Sequence, residues 1–338
     1  MNIRDIAKMS GVGVSTVSRV LNNHPDVKES TRERVLSIIR ESNYVPNNSA
    51  RILKQNNTKN IGVLVKGVFN PFFSELINVI GSKINESKYT MILQQNDYVL
   101  EHEVENIISF VKEKRLQGII CLGGNFTDLD EESFKNLDVP VVLTSVNTIS
   151  PLGRNRYSTV GINNLQSSYD ATEYLIKKGH KNIAFMIGEE NDFCVSWWRY
   201  KGYIKALKDN GIELNDNNLL VGDYDTKKAY EVTINFLKER KDITAIFAIS
   251  DFMAIGVAKA VIDSGLVVGR DISIIGFDGM DVSCFYNPGI TTIKQPKEEM
   301  AIKSVEILFD LLKGTGENKH ILLDTELIER ESCADLYK

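Results

Sequence analysis

Cysteine is scarce in this chain. The four that occur, Cys121, Cys194, Cys284 and Cys333, stand far apart. No C-x-x-C pair supplies half of a zinc site and the spacing does not suit a disulfide framework, so a reducing compartment is expected. The four histidines, His24, His102, His180 and His320, are equally scattered, and no metal or other cofactor is expected. Long apolar runs are missing too. Nothing approaches membrane-spanning length, and the opening Met-Asn-Ile-Arg-Asp-Ile-Ala-Lys lacks the apolar stretch of a secretory leader. Nor is there a bulk excess of positive charge, the formal net charge being −5. A soluble cytoplasmic protein without a membrane partner is the expectation.

What is present is an ordinary soluble composition, 43% hydrophobic and 25% charged over 338 residues, enough for two or three domains. The charge is unevenly spread. Residues 1–60 hold ten Lys/Arg against five acids, a balance of +5, which leaves −10 on the remainder. A basic head on an acidic body concentrates attraction to phosphate at one end.

The head is the most informative segment. Ile3–Asn22 reads as two short amphipathic helices around a glycine turn, with stripes Ile3, Ile6, Ala7 and Val17, Val20, Leu21. Val14, Ser15, Thr16, Ser18 and Arg19 crowd the start of the second helix, where a solvated face would carry Glu and Lys. Such a helix fits the DNA major groove: the hydroxyls reach phosphates or base edges, Arg19 can pair with guanine, and Val14 can meet a thymine methyl. Gly11 and Gly13 do not make a dinucleotide loop, because a third glycine and a preceding strand are missing. A third helix carries Val35, Ile38 and Ile39, with Ser30 and Glu33 at capping-box spacing ahead of it. Residues 46–60 are polar and linker-like, and Asn48–Lys54 within them suits two turns of helix that need a partner to hold.

From Ile61 the pattern alternates strand and helix. Ile61–Val65, Met91–Leu93, Gly118–Leu122 and Val139–Leu143 read as buried parallel strands, with helices around Phe72–Ile84, Glu101–Lys114 and Glu131–Asn136. After Ile162 the alternation restarts with strands at Asn182–Ile187, Ala245–Ile249 and Ile272–Phe277. Helices fall near Ser167–Lys178, Trp198–Asn210, Thr226–Arg240, Phe252–Ser264 and Lys297–Lys313. Two successive doubly wound α/β units follow, and ligands of such units bind at the carboxyl ends of the strands.

The wording of the chain resembles the lactose/galactose repressor family of bacterial transcription regulators. The resemblance rests on Asp5–Val12, Thr16–Asn22, Tyr44-Val-Pro-Asn47, Ala50-Arg-Ile-Leu53, Asn70-Pro-Phe-Phe73, Arg199-Tyr-Lys-Gly202, Ser250–Gly256, Asp271–Asp278 and Gln295-Pro296, in order along nearly the whole length. It implies an α/β chain with an N-terminal three-helix helix-turn-helix domain and a periplasmic-binding-protein-like core of two doubly wound parallel lobes. The expected domains are 1–46, a hinge and linker at 47–59, and the core at 60–338. Within the core, the N-lobe spans about 60–161 and 291–320, and the C-lobe about 162–290 and 321–338.

The resemblance also implies a homodimer on a near-palindromic double-stranded operator. Contacts would come from Val14, Ser15, Thr16, Ser18, Arg19, Asn22, Tyr44, Asn47, Ala50 and Lys54, with Leu53 wedged into the minor groove. Gly13 departs from the family, which usually has serine there. For the effector, the resemblance points to Arg199 and Asp278 as polar grips and to Phe72 and Phe73 at the mouth of the cleft. Tyr224 forms a wall, and Ser145, Phe193, Val195, Trp198, Ser250 and Gln295 complete the lining. Trp197 and Trp198 beside Arg199 suit stacking on a sugar face. Phe193 and Val195 replace the polar groups of purine-responsive members, which favours a sugar over a purine or nucleoside effector.

The functional expectation is a repressor of carbohydrate-metabolism genes, acting at the nucleoid and controlled by a small molecule. A family member responding to purines, or to no ligand, is the alternative. A sugar solute-binding protein is disfavoured by the basic head and the missing leader. An enzyme is disfavoured because Asp251, Asp278 and Asp281 have no nucleophile–base pair beside them. Only Glu331–Lys338 follows Arg330, too short for a tetramer-forming coiled coil, so a dimer is expected.

Overall fold

The computed structural model describes residues 1–21, 23–42, 44, 59–66, 71–96, 103–126, 129–146, 153–189 and 195–337. It divides into two compact units, residues 1–58 and 59–338.

The first unit holds α1 (Ile3–Ser10), α2 (Val14–Leu21) and α3 (Glu29–Glu41). Asn2 caps α1 through a reciprocal box with Asp5, and Gly11 ends it in the left-handed conformation at φ 63°, where a side chain would be strained. This turn lets α2 fold back so that Ile6, Ala7, Val17, Val20 and Val35 close a small core. The capping box expected at Ser30–Glu33 is not formed. Those residues lie inside α3, which begins one residue after Lys28 with no side-chain cap. Arg32 instead ties the α2–α3 loop, donating to the Asn23 side chain and the His24 carbonyl, each at 2.7 Å.

The second unit contains two six-stranded sheets. The first is built from β1 (Asn60–Lys66), β2 (Thr90–Asn96), β3 (Leu116–Leu122), β4 (Val141–Thr144), β5 (Ser158–Ile162) and β11 (His320–Leu323). Its order is β11-β5-β4-β3-β1-β2, parallel throughout. The second joins β6 (Ile183–Ile187), β7 (Leu219–Val221), β8 (Ala245–Ala248), β9 (Ser273–Asp278), β10 (Thr291–Lys294) and β12 (Glu326–Ile328). Its order is β12-β10-β9-β8-β6-β7, parallel except at β12. Helices cover both faces of the sheets, which is why their strands read as continuous apolar runs. Along β3, Ile120 and Leu122 join one core cluster and Ile119 and Cys121 the other.

The helices of this unit are α4 (Pro71–Asn85), α5 (Glu103–Lys114), α6 (Asn164–Lys177), α7 (Val195–Asp209), α8 (Thr226–Glu239), α9 (Asp251–Asp263), α10 (Asp281–Phe285) and α11 (Lys297–Lys313). The doubly wound expectation therefore holds, with three corrections. Residues 131–136 form bends and turns, not a helix; the Asp130 carboxylate takes the Glu132 and Ser133 amides into a local side-chain turn instead. The lobe boundaries move, because β10 pairs with β9 in the second sheet while β11 pairs with β5 in the first. Ile162 closes β5 and so also belongs to the first lobe. The chain thus crosses between lobes near 163, 295–296 and 324–325. Among the described residues no helix is long and apolar enough to cross a membrane.

Candidate functional site

In the first unit α2 buries Val17 and Val20 and turns its other side outward. Val14 is 41% exposed, Ser15 and Arg19 are exposed, and Thr16 and Ser18 are half-buried at its edge. The five residues read from the sequence as groove-facing therefore share the unpacked face. Gly13 sits directly before the helix, its carbonyl accepting from the Thr16 and Val17 amides at 2.9 and 3.1 Å. Tyr44 is half-buried and packs against the small core of the head. Asn22, Asn47, Ala50, Leu53 and Lys54, with the expected hinge helix, lie outside the described residues.

In the second unit the polar groups gather at the carboxyl ends of the second sheet. Arg199 lies on the buried face of α7 with Ser196, Gly202 and Tyr203. A buried guanidinium needs partners. Its Nε donates to Asn164 Oδ1 at 2.9 Å, its Nη1 donates to the Ile249 carbonyl at 2.7 Å, and its plane lies 3.6 Å from the Phe277 ring centroid. Asp278, the last residue of β9, stands 3.9 Å from Nη1 and accepts from Gln295 Nε2 at 2.7 Å. Its φ of 109° is unusual for a non-glycine residue and holds its carboxylate at the strand end.

Burial raises the Asp278 carboxyl to about 6, against the opposing pull of Arg199, Gln295 and Lys297. Asp251, the first residue of α9, is fully buried and accepts from the Met280 amide at 2.6 Å. Burial, then the charge of Asp278, raises it to about 7. The strand ends thus carry two carboxyls whose ionisation is costly, beside one arginine whose charge is fixed.

The remaining expected residues divide. The Tyr224 ring packs against Gly188, where any side chain would collide with it, and its hydroxyl shares a hydrogen bond with Ser196. Phe73 is half-buried and covers Gly123 at the end of β3. Phe72 is corrected: only 2% exposed, it points into the core rather than to a mouth. The hydroxyl of Ser250 is also committed, capping α9 by accepting from the Met253 amide at 3.2 Å. Ser145 follows β4 with φ 56° and a half-buried side chain.

Trp198 is half-buried one residue before Arg199, and its buried Nε1 has no partner among the described residues. Trp197 falls roughly 200° around the helix from Arg199 and is exposed, so only Trp198 and the half-buried Val195 stay near the arginine's side. Lys201 lies over both indoles, 5.2 and 5.0 Å from their centroids. Phe193 lies outside the described residues.

Two further groups stand beside Asp278: Asp251, which the sequence offers only as an acid–base candidate, and Lys297, which directly follows Gln295-Pro296. In the first lobe, Lys66 at the end of β1 forms a buried ion pair with Glu103, which also accepts from the Asn125 amide at 3.0 Å. Among the described residues no group of three His, Cys, Asp or Glu could hold a metal ion.

Comparison with known proteins bears on both units. The profile described as "Bacterial regulatory proteins, lacI family" matches residues 2–47, and the "Periplasmic binding protein-like domain" matches residues 172–333. The chain is 65% identical to the HTH-type transcriptional regulator MalR of Clostridium butyricum over 99% of this chain and all of that one. It is 26% identical to the Lac repressor dimer solved with operator and the anti-inducer ONPF, with a TM-score of 0.73 over 99% of both chains. It is 27% identical to the transcriptional regulator CelR in complex with cellobiose, with a TM-score of 0.69 over 98% of this chain and 99% of that one.

Proposed function

The chain belongs to the LacI family of bacterial regulatory proteins, a helix-turn-helix transcription regulator by kinship, and from that premise we propose that it represses carbohydrate-metabolism genes under the control of a sugar. It does so in the cytoplasm as a homodimer, each α2 entering the major groove at one half of a near-palindromic operator. Val14, Ser15, Thr16, Ser18 and Arg19 meet bases and phosphates there. The Lac repressor neighbour, a dimer on its operator, supports this arrangement.

The observation that carries the effector reading is the cluster of Arg199, Asp278 and Gln295 at the strand ends. A sugar presents neighbouring hydroxyls that both donate and accept. Asp278 accepts from such hydroxyls, Arg199 donates to them, and Trp198 and Tyr224 offer apolar faces to the ring. The CelR neighbour, solved in complex with cellobiose, supports a sugar as effector. Binding between the lobes favours one of their arrangements over the other, and only that difference in affinity moves operator occupancy.

A gel-shift with the DNA upstream of the gene, run with a panel of mono- and disaccharides and of purines, tests the proposal. Specific retardation that a sugar changes is the expected result. Retardation altered only by a purine rejects the sugar, and no specific retardation under any condition rejects operator binding.

A further inference from the structure

We propose that Lys297 is a positioning residue that ties the ligand-reading end of β9 in one lobe to α4 of the other. The proposal rests on the reading of Asp278 as an effector contact. Lys297 opens α11, immediately after the chain crosses between lobes at Gln295-Pro296. The body of α11 packs on α4, β3, β4 and β5, so it belongs to the first lobe. The Lys297 side chain, however, reaches back across. Its Nζ donates to the carbonyl of Gly279 at 2.8 Å and lies 3.4 Å from that of Asp278, the first just beyond β9 and the second its last residue. The same ammonium pairs with Glu75 Oε2 on α4 at 3.2 Å.

The side chain is only 10% exposed, so its charge is held largely by these partners rather than by water. Asp278 and Gly279 both have positive φ, at 109° and 65°, which makes this the bend where β9 ends. Lys297 holds that bend by its backbone while Gln295 holds the Asp278 carboxylate. Glu75 lies on the same helix as Phe73, whose ring covers the end of β3. Lys297 therefore joins the bend beside Asp278 in the second lobe, through its hydrogen bond to the Gly279 carbonyl, to the helix that shapes the first lobe's strand ends, through its ion pair with Glu75. A rotation of the lobes about their three crossings changes the separation of Glu75 from Gly279. A ligand held by Asp278 then favours the arrangement in which Lys297 reaches both.

Hydrogen exchange followed by mass spectrometry on the full chain tests the tether without any ligand. The reporters are the amides of Gly279 and Met280, which donate to Thr292 and Asp251 and not to Glu75. Glu75→Gln, made in the opposite lobe, is expected to speed their exchange at least about threefold, and Lys297→Met to do so further. Lys297→Arg, which keeps the charge, is expected to stay near the wild-type rate. Wild-type exchange at these amides in Glu75→Gln overturns the proposal, since a purely local role for Lys297 would not feel Glu75. If Lys297→Met fails to fold, Glu75→Gln and Lys297→Arg still decide.

Titration with cellobiose and maltose, read by the fluorescence of the two tryptophans and by operator release, adds the coupling. Glu75→Gln is expected to leave the apparent sugar affinity within about twofold while lowering operator release per bound sugar about fivefold. Unchanged release at full sugar occupancy overturns the proposal. If no sugar on the panel affects the wild type, it is the sugar reading that fails, and the exchange result stands alone in deciding the tether.

Discussion

Asp251→Asn measures what a buried charge costs at the strand ends. In the folded chain, burial and then the charge of Asp278 raise the Asp251 carboxyl from 3.8 to about 7. A shift of about three units, at about 1.36 kcal/mol each, sets an upper bound of about 4 kcal/mol, because the two carboxyls titrate together. The sign follows from proton counting. Between about pH 4 and pH 7 the unfolded chain has released a proton that the folded chain keeps, so stability falls as pH rises through that window. The contribution is fully present below the unfolded value of 3.8 and is lost above about 7.

Asparagine is neutral throughout, and its side-chain oxygen can still accept from the Met280 amide, now 2.6 Å from the carboxylate. What the substitution gives up is the attraction of an anion to the start of α9, about 0.3–1 kcal/mol. The expected net effect is a stabilisation of about 1–3 kcal/mol at pH 8 and little change or a slight loss at pH 5. For a domain of this size that raises the melting midpoint of the core by roughly 3–8 °C at the higher pH. Thermal unfolding of the full chain at fixed protomer concentration, at pH 5 and pH 8, gives the comparison. An equal loss of stability at both values would refute the argument, since it would mean that the carboxylate is worth more in place than it costs to bury.

Asp278, raised to about 6 by burial, accepts most strongly from ligand hydroxyls as the carboxylate, so sugar affinity is expected to fall as pH drops through 6. At one unit below that value the loss is about tenfold, read by tryptophan fluorescence, and a flat profile from pH 5 to 8 counts against Asp278 as an acceptor. Gly13→Ser is expected to raise operator affinity about threefold to tenfold, because a Cβ there meets nothing closer than Ser15 Oγ at 3.5 Å and the added hydroxyl can reach a phosphate. A gel-shift showing weaker binding would instead assign Gly13 a close approach to the DNA backbone. Leu53→Ala is expected to lower specific binding at least about tenfold while sparing non-specific binding, as loss of a minor-groove wedge requires. Equal loss on operator and random DNA would remove the wedge.

The head was largely legible because its information is local. Ile6, Ala7, Val17 and Val20 lie at helical spacing, and the polar face of α2 is simply what that spacing leaves over. The long helices of the core were legible for the same reason, α11 to its exact ends at Lys297 and Lys313. The short strands β5, β7, β10, β11 and β12 were not. Three to five residues carry too little alternation to stand out, and three of them, β7, β11 and β12, owe their existence to a single neighbouring strand.

At the strand ends the resemblance led to Arg199, Asp278 and Gln295, which the fold brings together from three separate elements. It misjudged Phe72 because adjacent residues on a helix face different ways, and which of Phe72 and Phe73 meets the core depends on how α4 is rolled against β1 and β3.

By itself, then, the amino-acid order determined the periodic elements, the split between a basic head and an acidic body, and the set of side chains, Val14, Ser15, Thr16, Ser18 and Arg19, that α2 leaves outside the core. Those properties depend on spacing along the chain and on side-chain chemistry. Only the tertiary structure decided that β10 and β11 exchange lobes, that Ser250 spends its hydroxyl on a helix cap, and that Lys297 spans to Glu75. The physical reason is the energetics of burial. A charge or hydroxyl removed from water must find a partner, and for Arg199, Asp251 and Lys297 the partners come from 18 to 222 residues away, positions that only the path of the chain between the two sheets brings within reach.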